Sequence, residues 1–275
     1  MILKVLAVVC VLCGIVIGLM SLEKYVKKTI PVRQGAGDLE LVEVPLWVSD
    51  ELQEKVYKIA TADGSSLGLY DAALSVQRNI EQQTPWLDDV KVTATHNILR
   101  VEAKWRKPVA LVKSGLIKFM VDANQVVLDY MEMPDLPIVE IKGLPPVTKI
   151  PPLGEVWQRD DLAAAIMILD RLDDMDRSET PDKPLLDEIG RINVSNFNGR
   201  DNSRQAHIIL YTKDNTEIIW GAELEKWQQH LESTDEEKLA KLYSHYKEYG
   251  TLSGDVKFIN LRVPQDNIPL PIDKY

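Results

Sequence analysis

Residues 85–110 read PWLDDVKVTATHNILRVEAKWRKPVA, and the fold turns on this stretch. Val90, Val92 and Ala94 alternate with polar residues, His96-Asn97 supplies a turn, and Leu99, Val101, Ala103 and Trp105 alternate again. A period of two on both sides of a turn predicts a β-hairpin with one buried face. Pro85 stops any helix arriving from upstream. Pro108 withholds an amide donor just past the second strand, which ends that ladder and redirects the chain.

Upstream of the hairpin the period lengthens. Leu69, Ala73, Val76 and Ile80 recur at helical spacing, and Asp63-Gly64 separates them from an earlier helix that carries Leu52, Val56 and Ile59 on one face. Ser49 stands where an N-cap belongs, and Leu39, Leu41 and Val44 introduce a strand ending near Pro45. The order is β-α-α-β-β, a unit of about 70 residues, which folds alone only marginally.

Downstream, Ala110 to Val112, Lys118 to Val121 and Val126 to Leu128 read as short strands, with Asp122-Ala123-Asn124-Gln125 as the turn between the last two. Gly143 to Gly154 is a proline-rich connector. Trp157 to Leu172 reads as a helix, Ile189 to Val194 as a strand, and His207 to Tyr211 with Thr216 to Trp220 as a second hairpin. Gly221 precedes a helix containing Glu225-Lys226-Trp227 and Leu231. A helix with Leu239, Leu242 and Tyr246 follows, then the strand Phe258-Ile259-Asn260-Leu261-Arg262-Val263. The expected class is α+β, with a small N-terminal unit and a larger mixed α/β domain built on a mainly antiparallel sheet.

At the extreme N-terminus, Val5 to Leu22 (VLAVVCVLCGIVIGLMSL) is apolar enough for a single transmembrane helix, with Lys4 and Lys24 snorkelling at its ends. A cleaved signal peptide is the competing reading, but no Ala-x-Ala pattern follows. Lys24, Lys27, Lys28 and Arg33 outnumber Lys4, so charge counting favours one orientation, whereas a four-residue tail before an early apolar run behaves like an export signal. We adopt the second, with residues 1–33 as tail, anchor and juxtamembrane segment and the bulk of the chain extracytoplasmic. The net charge of −10 argues against nucleic acid or anionic lipid as the main partner. Cys10 and Cys13 both lie in the apolar segment, so the rest folds without disulfides.

The order of these elements, the Pro85-Trp86-Leu87-Asp88-Asp89-Val90 step and above all Trp105-Arg106-Lys107-Pro108-Val109-Ala110 resemble the POTRA domain of the FtsQ/DivIB cell-division proteins. Asp122-Ala123-Asn124-Gln125 resembles that family's valine-aspartate turn, with Asn124 where glycine is usual. Leu136-Pro137-Ile138-Val139 and Lys142-Gly143 resemble its leucine-proline and glycine punctuation. The family's closing strand is tyrosine-x-aspartate-leucine-arginine-tyrosine; here Phe258, Asn260 and Val263 replace tyrosine, aspartate and tyrosine. The resemblance spans Leu39 to Pro269. It implies a POTRA domain over 39–108, an FtsQ/DivIB-type C-terminal domain over 109–269 and a tail over 270–275.

No residue pattern announces chemistry. There is no glycine-rich phosphate loop, nucleophile elbow or Ser-x-x-Lys element, and Ser65-Ser66 after Gly64 fits a turn. His96, His207, His230 and His245 form no close metal-ligand pair along the sequence, so neither metal nor cofactor is expected. Asp170, Asp173, Asp174 and Asp176 lack the glycine and closing glutamate of a calcium loop and read as a solvated helix end. Trp47, Trp86, Trp105, Trp157, Trp220 and Trp227 read as core or interface anchors rather than a carbohydrate platform. What remains is recognition: a terminal strand followed by Pro264, Pro269 and Pro271 is a candidate sheet edge, open to strand addition. The resemblance implies that Phe258, Ile259, Asn260, Leu261, Arg262 and Val263 recruit FtsB/DivIC-like and FtsL-like bitopic partners, and through them the septal synthase complex. The expected protein is a non-enzymatic, single-pass scaffold of the cytoplasmic membrane at the division site. Alternatives are a POTRA-containing protein of envelope assembly or secretion and a membrane-anchored wall-binding enzyme.

Overall fold

The computed structural model describes residues 38–62, 69–95, 98–146, 150–253 and 257–263. Among them no helix is long and apolar enough to cross a membrane. The expected anchor, Val5 to Leu22, lies outside the described residues, as do the turns at Asp63-Gly64 and His96-Asn97 and everything from Pro264 onward.

The first unit has the expected β-α-α-β-β order: β1 (Asp38–Leu41), α1 (Asp50–Ala60), α2 (Leu69–Gln83), β2 (Leu87–Thr95) and β3 (Ile98–Trp105). Ser49 caps α1 by accepting from the Leu52 amide at 3.3 Å, and Leu52, Val56 and Ala60 are the residues it buries. Ala60 thus takes the place expected for Ile59, which is only half-buried. The α2 stripe Ala73, Val76 and Ile80 packs with them on the inner face of a three-stranded sheet ordered β1-β3-β2, where Leu99 and Val101 alternate inward. Both helices lie on one face because each strand offers only alternate residues to the core.

Downstream the chain forms one eight-stranded sheet, ordered β11-β10-β9-β8-β7-β4-β5-β6. Its strands are β4 (Pro108–Ser114), β5 (Ile117–Asp122), β6 (Val127–Asp129), β7 (Val139–Lys142), β8 (Ile189–Asn193), β9 (Ile208–Thr212), β10 (Glu217–Gly221) and β11 (Phe258–Asn260). Helix α3 (Asp160–Glu179) follows β7. The single turn α4 (Trp227–His230) and helix α5 (Asp235–Tyr249) lie between β10 and β11. Four of the sheet's pairings are antiparallel and three parallel, so the antiparallel pairings hold only a narrow majority in a mixed sheet. Strand β7 makes the difference, lying parallel between β4 and β8 where the sequence suggested only punctuation.

Helix α3 starts at Asp160, three residues after the expected Trp157, which instead packs its ring against Phe119 with centroids 5.2 Å apart. Leu162, Ala165, Ile168, Leu169 and Leu172 cover one face of the sheet, joined by Leu239, Leu242 and Tyr246 of α5. The opposite face serves the first unit. Along β5, Phe119 and Val121 point into the large core, while Met120 joins Val126, Leu128, Met131 and Met133 in the core of α1 and α2. Polar ties reinforce that shared boundary. Trp86 Nε1 donates to Asp129 at 2.9 Å, Lys55 pairs with the same carboxylate, and Arg106 bridges Asp88 at 3.0 Å and Asp122 at 3.3 Å. The boundary expected at Pro108 is therefore where the chain passes between sheets, but the apolar core continues across it. Pro108 itself opens β4, a position that needs no amide donor.

Candidate functional site

The nominated strand is shorter than expected, Phe258–Asn260, and it is the terminal strand of the large sheet. It runs parallel to β10, with Ile259 opposite Ile218, and the Leu261 amide donates to the Ile219 carbonyl at 3.0 Å. Alternation then turns the Ile259 amide toward β10 and the Phe258 and Asn260 backbone outward. The six nominated residues divide accordingly. Ile259 and Leu261 are fully buried in the core, Phe258, Asn260 and Arg262 are half-buried, and Val263 is exposed. Ile259 and Leu261 cannot present side chains to a partner, and a proline at Ile259 would break the sheet's own ladder.

Two of the other edges, those of β6 and β2, are closed or blunted, while β1 pairs only with β3 and forms the first sheet's second margin. Beyond β6, the Val127 amide donates to Glu155 at 2.9 Å and the Gly154 amide donates back to Val127 at 2.8 Å, so residues 154–156 occupy that edge. In the first sheet, β2 is bulged between Asp88 and Lys91, with Asp89 at φ 51°, and bears Asp88, Asp89 and Lys91. Charge and bulge are both devices that deter strand addition.

Beneath β11 sits a buried ionic cluster that fixes its far end. Glu232 Oε2 accepts from Lys238 Nζ at 2.9 Å and from the Ala222 amide at 2.9 Å, while Oε1 accepts from Arg262 Nε at 2.6 Å. Lys238 is fully buried and lies 5.5 Å from the Trp220 ring centroid. Burial alone would push the Glu232 carboxyl up, but the bonds from Lys238, Ala222 and Arg262 outweigh it and hold it below the ordinary glutamate range. Gly221, at φ 102°, makes the approach possible, because a Cβ there would lie 2.1 Å from Glu232 Oε2. The Ser233 amide donates to the Arg262 carbonyl at 2.8 Å, and Lys241 Nζ donates to the Asn260 carbonyl at 2.9 Å. Arg262 therefore positions the edge, and outward backbone groups of β11 are already partly engaged.

Sequence reading placed the glutamate-lysine pair at Glu225-Lys226 on a helix; the pair that matters is Glu232 and Lys238. Residues 221–232 form a loop with one helical turn, with Glu225 at φ 66° and Leu231 at φ 53°. The available signal was the spacing of Lys238 with Leu242, four residues on and thus on one helix face.

The aspartate run is not simply a solvated end. Asp173 and Asp174 pair with Arg177 on the surface, but Asp176 is buried and accepts from the Leu185 and Leu186 amides at 2.9 Å each and from Tyr243 OH at 2.8 Å. Burial, then the bond to Asp176, pushes the Tyr243 hydroxyl up, so it stays a donor. The expectation that the histidines stand apart from any ligand set is also revised. His207 converges with Glu223 and His230 of the loop after β10, from the other side of the β9–β10 hairpin. No family model and no curated protein matches this chain.

Proposed function

We propose that this protein is a non-enzymatic, single-pass scaffold of the FtsQ/DivIB type, anchored by Val5 to Leu22, with a POTRA unit followed by the eight-stranded domain. The open edge at β11 is its docking site for small bitopic partners of the FtsB/DivIC and FtsL kind, which it holds together at the cytoplasmic membrane for septal wall synthesis. One observation carries the reading: β11 ends the large sheet, whereas the sheet's other margin is already paired with residues 154–156. An added strand would gain backbone hydrogen bonds along Phe258 and with the Asn260 amide, the Asn260 carbonyl being engaged by Lys241, and would read their side chains and that of Val263.

The test is affinity capture and crosslinking of the full chain from membranes, comparing wild type with Asn260→Pro and Phe258→Asp. Asn260→Pro removes an outward donor without touching the amides that face β10; Phe258→Asp leaves the backbone intact and changes what the partner reads. Recovery of small bitopic division proteins by wild type and their loss from both variants, at unchanged thermal stability, supports the proposal. Recovery of barrel-assembly or secretion components instead would favour an envelope-assembly role and overturn the division reading.

A further inference from the structure

We propose that His207, Glu223 and His230 form a site for one divalent transition-metal ion, best suited to Zn²⁺. His207 lies just before β9, Glu223 two residues beyond β10, and His230 at the end of α4. Their ligand atoms all lie within 4.8 Å of one another. The imidazole rings stand 4.5 Å apart, near perpendicular at 76°, so the pair is not stacked and both rings can direct a nitrogen to a common point. His207 Nδ1 is 3.3 Å from both Glu223 oxygens. A dedicated imidazole–carboxylate hydrogen bond is shorter and favours one oxygen. Tetrahedral zinc with bonds near 2.0–2.1 Å separates its ligand atoms by about 3.3 Å, which is the spacing between His207 and Glu223, and the His230 nitrogen lies within 4.8 Å of both.

The donor set is chemically selective. Two imidazoles and one carboxylate suit zinc and its first-row neighbours, whereas calcium and magnesium require oxygen ligands. The surroundings pre-form the site. The Asn198 amide donates to Glu223 Oε1 at 3.0 Å, fixing the carboxylate, and Gly199 at φ 67° backs the His207 ring, where a Cβ would stand 3.2 Å from Nε2. His207 is buried, while Glu223 and His230 are half-buried, which leaves a solvent-facing side for a fourth ligand. Zinc would tie the loop after β10 to β9 and hold the segment whose Glu232 fixes Arg262. The site stands whether or not the β11 edge recruits a partner.

The test uses full-length protein without a polyhistidine tag, purified in detergent and stripped with chelator, then titrated with Co²⁺ by absorption and with Zn²⁺ by competition against a chromophoric chelator. Wild type is expected to bind one equivalent with a tetrahedral Co²⁺ spectrum and a raised thermal midpoint. His230→Gln and Glu223→Gln should weaken binding at least tenfold with an unchanged metal-free midpoint, whereas the exposed neighbour change Glu225→Gln should bind as wild type does. Absence of saturable binding by wild type, or equal affinity in His230→Gln, would overturn the site.

Discussion

Glu232 is the residue on which the C-terminal edge hangs, since its carboxylate joins a fully buried lysine, the Ala222 amide and the arginine of the terminal strand. Removing one member of a buried pair leaves the other charge uncompensated, so Glu232→Gln should cost about 3–5 kcal/mol, read by urea unfolding at pH 7. Because the folded carboxyl titrates below its unfolded value, its stabilisation is complete above roughly pH 4.3 and is lost as pH falls through the folded value. The variant should accordingly show a flatter acid limb than wild type over that range. Gly221→Ala tests the same contact from the other side: its Cβ would displace the carboxylate and strain a positive φ, at a cost of at least about 2 kcal/mol. Spacing with Leu242 could place Lys238 on the apolar face of its helix, but its pairing with Glu232 was not legible in sequence. Glu232 and Lys238 meet because a loop with two left-handed residues folds back under β10, and spacing along the chain carries no record of that reversal.

At the scale of elements, periodicity revealed most of what local chemistry controls. Both helices of the first unit and both hairpins follow from apolar spacing, and Ser49 caps where a serine before an apolar stripe should. Three features escaped for identifiable reasons. Val139–Lys142 is a four-residue strand beside prolines, too short to show alternation, and only its parallel neighbours define it. The turn at residues 122–125 puts its left-handed residue at Gln125, which residue type does not single out, because Asp122 Oδ1 captures the Asn124 and Val126 amides. The histidine–glutamate cluster draws on two separate connections, before β9 and after β10, and residue type alone cannot bring those together. Helix α5 carries a capping box, Thr234 accepting from the Glu237 amide and Glu237 accepting from the Thr234 amide. Thr234→Ala should therefore destabilise by about 1 kcal/mol in thermal or urea unfolding, and it should loosen the helix that reaches Asn260 through Lys241.

For the whole molecule, the shared face of β5 and β6 makes the two units thermodynamically dependent on each other. Leu128 is fully buried against the first unit's helices, so Leu128→Ala should cost about 2–5 kcal/mol and lower a single transition rather than one of two. A fragment covering residues 38–107 lacks Met120, Val126, Leu128, Met131 and Met133 of its own core; its near-ultraviolet circular dichroism should be weak, the mark of lost side-chain packing. Such coupling suits the proposed scaffold, because a partner added at β11 would extend a sheet whose far strands, β5 and β6, pack into the first unit's core. The most direct measurement is site-specific photo-crosslinking in living cells from Phe258 and, as the matched position on the opposite margin, from Glu155. The account predicts crosslinks from Phe258 to a small bitopic membrane protein and none from Glu155. Crosslinks from Glu155 alone, from both positions equally, or from neither would contradict it.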